Sequence, residues 1–198
     1  MASAAPRLRI RAIEILERPV VMRLPFRFGA VTVRETAQAF VRTLVEVESG
    51  GTATGVAAEL KVPKWFDKSP ALSNADNVAQ LDRALALARA AYLSDATPAT
   101  VFDQHVRHAS STRDACRAAG LPPLVAAFGL ALVDRTLIDA LGRHLGLPFA
   151  AALRANAYGF EPWRIAADLA GLDAVAFLGG LAPLPRVAAR HTLGLIDP

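Results

Sequence analysis

A chain of 198 residues that is 53% apolar is long enough to bury one good core and too apolar to be a disordered polymer. Its net charge of +4 comes mostly from arginine, but the arginines are scattered from Arg7 to Arg190 without a run or interleaved aromatics, which argues against nucleic-acid binding. No uncharged apolar run approaches the roughly 20 residues of a membrane span.

Arg7, Arg9 and Arg11 interleave with strand-like residues where a secretory signal would place its apolar stretch. One cysteine, Cys116, excludes an internal disulfide and fits a reducing compartment, so the expected location is cytoplasmic.

From residue 7 the chain alternates Leu8 and Ile10 against Arg7, Arg9 and Arg11, then changes phase to Ile13 and Ile15. Such a slip in a period of two predicts a long strand with a bulge near Ala12. Pro19 is expected to interrupt it, leaving residues 20–24 as a short extended piece and residues 25–29 as a loop with exposed aromatics. Residues 38–48 are the clearest strand, with Val41, Thr43, Val45 and Val47 on one side and Arg42, Glu46 and Glu48 on the other. Ser49-Gly50-Gly51 reads as a hairpin turn, and residues 52–59 return as a third strand. Residues 61–72 read as a loop bounded by Pro63 and Pro70.

Helices follow. Ser73 with Asp76 three residues later is a capping pair, and Val78, Leu81, Leu85, Ala88 and Tyr92 form one face behind it. Thr97, ahead of Pro98, is expected to cap a second helix carrying Val101, Phe102, His105 and Val106. A break is expected at Ser110-Ser111-Thr112, with a shorter helix running on to Ala119 and Gly120. Residues 121–154 are the stretch around which the rest is organised. Pro122 and Pro123 suit a first turn, and Leu124, Phe128, Ala131, Ile138, Leu141 and Leu145 recur at helical spacing. Gly146 stands where a left-handed cap is wanted, and Pro148 forbids continuation.

The first half of that helix is uncharged and should be surrounded by protein. Asp134, Arg135, Asp139, Arg143 and His144 give its second half a wet side. A further helix is expected over residues 162–169, and residues 191–197 resemble a buried strand. Sheet first and helices after is an α+β order.

Few residues point to chemistry. His105 and His108 share a helical face near Asp103, but no third and fourth metal ligand is evident, and such a pair is ordinarily helix surface. Cys116 is flanked by alanines and reads as a buried thiol. Asp134, following an apolar run, reads as a buried hydrogen-bonded carboxylate. No G-x-S-x-G and no glycine-rich phosphate loop is present. Lys61, Lys64 and Lys68 are the only lysines and fall within eight residues, with Trp65 and Phe66 between them. A solvated loop explains the lysines; it does not explain the aromatics.

Ala131-Leu132-Val133-Asp134, Ala140-Leu141-Gly142-Arg143 and Gly146-Leu147-Pro148-Phe149 resemble the helix that ends the N-terminal capping domain of the enolase superfamily, in its mandelate racemase and muconate lactonizing branch. Val133 stands where the branch usually has Trp, and Ala152-Leu153-Arg154 where it usually has L-G-G. Gly55-Val56-Ala57-Ala58-Glu59 resembles a loosened G-x-G-E at the end of the third strand. The resemblance implies a capping domain over residues 1–154, with a three-stranded antiparallel meander followed by a helical bundle. Residues 155–198 would be a linker and the first strand of an incomplete β/α barrel.

It also implies that two cap loops, residues 25–30 and 55–70, close over a substrate. Phe26 and Phe28 would form an apolar lid, while Arg27 or the cluster of Lys61, Lys64 and Lys68, with Trp65 inside it, would attract a carboxylate. Ordinary packing and a solvated loop are the plainer accounts. Intact members remove a proton α to a carboxylate with Mg²⁺ assistance, using barrel carboxylates and Lys or His bases. No lysine follows Lys68, and the last carboxylates are Glu161, Asp168, Asp173 and Asp197. No catalytic or metal residue therefore transfers to this chain, and Mg²⁺ is expected only in an intact member.

The implied partners are a small carboxylate substrate, the missing barrel domain and, through Leu193, Leu195 and Ile196, a second copy; neither nucleic acid nor membrane is expected. The alternative is a non-catalytic helical interaction module that uses its uncovered apolar face.

Overall fold

The computed structural model describes residues 4–28 and 31–190. Strands β1 (Leu8–Phe28), β2 (Val31–Val47) and β3 (Thr52–Leu60) form one antiparallel sheet in the order β1-β2-β3. The alternation along β2 sorts the sheet's faces. Val41, Thr43, Val45 and Val47 are buried, and Arg42 turns away to pair with Glu14 across the strand boundary. The hairpin at Ser49 and its glycines is closed by the Val47 N–H donating to the Gly51 carbonyl at 3.0 Å. The phase slip in β1 is a bulge: Ile10 faces Val45 while Ala12 faces Leu44, leaving Arg11 unpaired between them.

The extended piece and the loop expected after Pro19 are not separate. β1 continues through Pro19, which lies opposite Ala37 on the sheet's edge, where its missing N–H removes no ladder bond that a neighbour needs. β2 begins at Val31, earlier than its alternation suggests. Because β3 reaches only from Glu46 to Gln38 on β2, residues 19–28 and 31–37 stand out as a two-stranded ribbon. A second register shift, between Val21 and Phe26, puckers this ribbon near its tip.

Helix α1 (Asn74–Leu93) starts on a capping box: Ser73 Oγ accepts from the Asp76 N–H, and Asp76 accepts from the Ser73 N–H. Helix α2 (Val101–Ala118) is capped by Thr100, not Thr97. Ala99 exchanges two backbone hydrogen bonds with Leu8, which holds residues 97–99 extended and delays the helix. Nor is α2 broken at Ser110-Ser111-Thr112. Ser111 Oγ bonds back to the His108 carbonyl and Thr112 is buried against the neighbouring helices, so the polar trio is absorbed within the helix.

Helix α3 (Pro123–Leu145) is the central element and packs on β2, β3, α1 and α2. It ends at Gly146 in the left-handed conformation, φ 63°. Of the expected face, Phe128 and Leu141 are buried and Ile138 and Leu145 pack against the core, but Leu124 and Ala131 are exposed, while Val125, Leu132, Val133, Leu137 and Ala140 are buried as well. Sandwiched between a sheet and two helices, α3 buries more than one stripe, so a single 3.6-residue period misplaces the phase. At Gly55 the third strand crosses α3 so closely that a Cβ there would overlap the Thr136 carbonyl oxygen and fall 2.5 Å from the Ala140 nitrogen. Nearby the Thr43 and Thr136 hydroxyls hydrogen bond at 2.6 Å, and Asp139 accepts from the Val56 N–H at 2.9 Å.

Beyond α3, Pro148 starts helix α4 (Phe149–Arg154). The helix expected over residues 162–169 is two single 3₁₀ turns, Pro162–Arg164 and Ala167–Leu169, followed by the six-residue helix α5 (Ala174–Gly179). Residues 191–198, and with them the expected buried strand, lie outside the described residues.

Candidate functional site

The ribbon tip and the loop of residues 61–72 come together. Phe28, at the end of β1 opposite Val31, meets Trp65 edge to face with ring centroids 5.3 Å apart, and Phe26 lies 5.5 Å from Phe28. Phe26 and Trp65 are each about half exposed, so the aromatic group is not a closed core. Beside it is a cavity of about 630 Å³ lined by Phe28, Val31, Thr32, Lys64, Lys68, Pro70 and Asn74. Phe28 and Lys68 both border it, a combination that suits a small anion with an apolar body.

The loop is held from inside. Lys64 has φ 59°, in the left-handed region that a side chain enters only when its surroundings over-determine it. Its N–H donates to Asn77 Oδ1 at 3.1 Å, and its ammonium donates to the carbonyl oxygens of Ser69, at 2.7 Å, and Leu72. Asp67 accepts from Gln80 Nε2 and the Ser69 N–H, and those bonds, that from Gln80 first, hold its carboxyl below the usual carboxylate range.

The six residues singled out from the sequence are thus divided. Phe28 and Lys64 line the cavity, Trp65 and Phe26 stack beside it, and Arg27 stands exposed on the strand between the two phenylalanines, whose side chains leave by the opposite face. Lys61 does not reach the cavity. It is 1% exposed, and its ammonium donates to Glu17 and, at 2.7 Å, to Asp82. Lys68, exposed on the cavity rim, was visible only as a member of the lysine cluster. Thr32 and Asn74 carried no signal, because a ribbon reaching that far was not foreseen.

A second polar group lies between α1, α2 and α3. Asp134 accepts from the Tyr92 hydroxyl at 2.5 Å and lies 2.7 Å from His105 Nδ1; the His108 ring packs 4.7 Å from that of Tyr92. Burial first, and then the Asp134 charge, push the Tyr92 phenol far up. The hydrogen bond to Asp134 raises His105, and burial lowers His108. A hydroxyl, a carboxylate and an imidazole in contact resemble catalytic machinery in outline. Here Tyr92 is fully buried and Asp134, a hydrogen-bonded carboxylate as expected, is mostly covered, so the group ties three helices together. Cys116 is buried, and burial raises its thiol, the opposite of a poised nucleophile.

The fold defines an α+β unit: a three-stranded antiparallel meander whose inner face carries a helical bundle, in that chain order. Several solved structures are similar to it. An enolase from alpha proteobacterium bal199, determined with bound Mg, is 18% identical with a TM-score of 0.45 over 74% of this chain and 34% of its own. A mandelate racemase/muconate lactonizing enzyme-like protein from Rubrobacter xylanophilus is 21% identical, with a TM-score of 0.46 over 74% of this chain and 33% of its own. A dipeptide epimerase from Enterococcus faecalis, complexed with Mg and a dipeptide, is 14% identical, with a TM-score of 0.44 over 73% of this chain and 34% of its own. The chain spans about a third of the length of the solved structures it matches. No protein-family model and no curated protein matches it.

Among the described residues no three His, Cys, Asp or Glu gather to hold a metal ion. Of the late carboxylates, Glu161 pairs with Arg164 and Asp173 caps α5 by accepting from the Ala176 N–H. No described helix is long and apolar enough to cross a membrane.

Proposed function

We propose that this chain is the capping portion of an enzyme of the mandelate racemase/muconate lactonizing kind. In intact form that enzyme would remove a proton α to a carboxylate with Mg²⁺ assistance, ending in racemisation, cycloisomerisation or dehydration. The 198 residues supply a lid and no catalytic group, and they act in the cytoplasm with a barrel domain as partner. The observation that carries the reading is the cavity between Phe28, Lys64 and Lys68. The Lys68 ammonium, on the rim, draws in the carboxylate of a small acid. The rings of Phe28, Trp65 and Phe26 cover its apolar part and exclude water from it.

Two measurements test this. With Trp163→Phe leaving Trp65 as the single indole, titration with an aryl 2-hydroxy acid should quench its fluorescence saturably, and the corresponding amide should not. The reading frame beyond the Pro198 codon should encode a K-x-K strand and spaced acidic residues. A frame without them, together with no carboxylate-dependent quenching, overturns the proposal.

One observation favours the second reading, a helical interaction module. Leu124, Ala127 and Ala131 line an open groove of about 220 Å³ between α3 and β3 with Phe66 and Phe128. Under that reading association with a second copy survives when the lid residues are replaced.

A further inference from the structure

We propose that Lys61 is a positioning residue for the cavity at the ribbon tip: it fixes the β1–β2 ribbon against the loop of residues 61–72, so that Phe28 and Trp65 meet. The inference rests on reading that cavity as a ligand site.

The sheet changes character at this residue. β3 ends at Leu60, opposite Gln38, and beyond that point β1 and β2 continue with no third strand to brace them. A two-stranded ribbon is marginal by itself in water. Lys61 is the next residue, and its backbone is still strapped to β2. Its N–H donates to the Ala37 carbonyl at 2.8 Å, and its own carbonyl accepts from Thr36 Oγ1 at 2.7 Å.

Its side chain then turns inward, to Glu17 on β1 and Asp82 on α1. One residue thus joins the β2 strand of the ribbon, β1 just ahead of the ribbon, the first helix and the start of the loop. Three residues later comes the left-handed Lys64, and Trp65 follows, edge-on to Phe28.

The chemistry suits a pin. Both carboxylates are about half exposed, so water solvates their outer sides while the ammonium between them is covered. Burial acts to lower the Lys61 pKa, but the hydrogen bonds to Asp82 and Glu17 and their charges outweigh it, leaving the group above the usual lysine value and charged. Charge-assisted bonds are directional, so they fix an angle as well as a distance. A methionine of similar length would fill the space and leave the ribbon free to pivot.

The test is Lys61→Met with Trp65 as the only indole, the other having been replaced by Trp163→Phe. Acrylamide should quench Trp65 about twice as efficiently, and amide exchange over residues 31–36 and 62–68 should quicken about tenfold. Exchange in α3 and the far-UV spectrum should not change, and Lys61→Arg should restore the original quenching.

Unchanged quenching and exchange at the tip would overturn the proposal. So would acceleration spread equally through α3, which would make Lys61 a general stabiliser. Should Lys61→Met fail to fold, Glu17→Gln, Asp82→Asn and the double variant carry the same test. Each single change should raise quenching, and the double less than additively; no change in any of them is decisive against the pin. None of these readouts uses a ligand, so failure of carboxylate binding and failure of the pin are separate results.

Discussion

Helix α3 and the segment from residue 160 to residue 190 are both rich in apolar residues, yet they do opposite things with them. α3 runs for 23 residues and buries Val125, Leu132, Val133, Leu137, Ala140 and Leu141 against the sheet on one side and α1 and α2 on the other. In the later segment Ile165, Val175, Phe177, Leu184 and Val187 are all more than half exposed. The difference lies in punctuation and partners. Gly171, Gly179, Gly180, Pro183 and Pro185 cut the segment into elements of three to six residues. Elements that short present no continuous face to bury. Apolar content alone does not decide what is inside; a second layer at matching spacing does.

The sharpest way to break the well-packed side of that comparison is Gly55→Ala. The added Cβ meets backbone atoms of α3, which cannot swing aside as a flexible side chain would. The expected loss is about 4–5 kcal/mol, in the rare tail of single-substitution effects. Urea denaturation checks it, and a loss below about 1 kcal/mol would mean that β3 and α3 are further apart than described. Leu137→Ala, at a fully buried position, should cost about 3 kcal/mol through lost transfer energy and a residual cavity. The same substitution at the exposed Leu124, on the same helix, should cost less than about 0.5 kcal/mol.

Much of the body was legible from residue order. Alternation from Val41 to Val47 marks the central strand, the phase slip locates the bulge, and Ser73 with Asp76 marks a helix start. These signals are local, and local physics decides them. What was misread depended on distant contacts. Pro19 is tolerated because β1 happens to be an edge; Thr97 loses the cap because Leu8 pairs with Ala99; Leu124 is exposed because α3 is covered from two other directions. The candidate site was half legible for the same reason. A lysine–aromatic cluster can be counted in the sequence, but that Lys61 turns inward to Glu17 and Asp82 while Lys68 faces the cavity is a matter of topology.

A further prediction probes the helical side of the body through pH. His105 is raised by Asp134, so its folded form holds its proton more tightly than the unfolded chain does. Its contribution is complete below the ordinary histidine value of about 6.5 and is lost as pH rises through the raised folded value. His108 is lowered by burial, so its contribution is present above about pH 6.5 and is lost as pH falls through its depressed folded value. The two slopes oppose one another. Denaturation across a pH series should show His105→Gln removing the loss on the alkaline side and His108→Gln removing the loss on the mildly acid side. Asp76, held below the usual carboxylate range by its capping-box hydrogen bonds with Ser73, stays out of that window. Identical profiles for both variants and the parent would show that neither imidazole senses its surroundings.

The smallest effect on stability is expected where the apolar residues are uncovered. Leu184 and Val187 are 76% and 84% exposed, and the chain around them forms neither helix nor strand. Replacing both by serine removes little buried area, so the change in unfolding free energy should stay within about 0.5 kcal/mol. What should change is association. Uncovered apolar surface of this kind promotes contact between copies, and light scattering at high concentration should report a lower average mass for the double variant than for the parent. Equal masses would remove this segment as the source of any self-association and shift attention to the groove beside Leu124. A stability loss above about 1 kcal/mol would be more consequential. It would mean that residues 181–190 pack against the body in solution, and the contrast between α3 and this segment would then be one of degree.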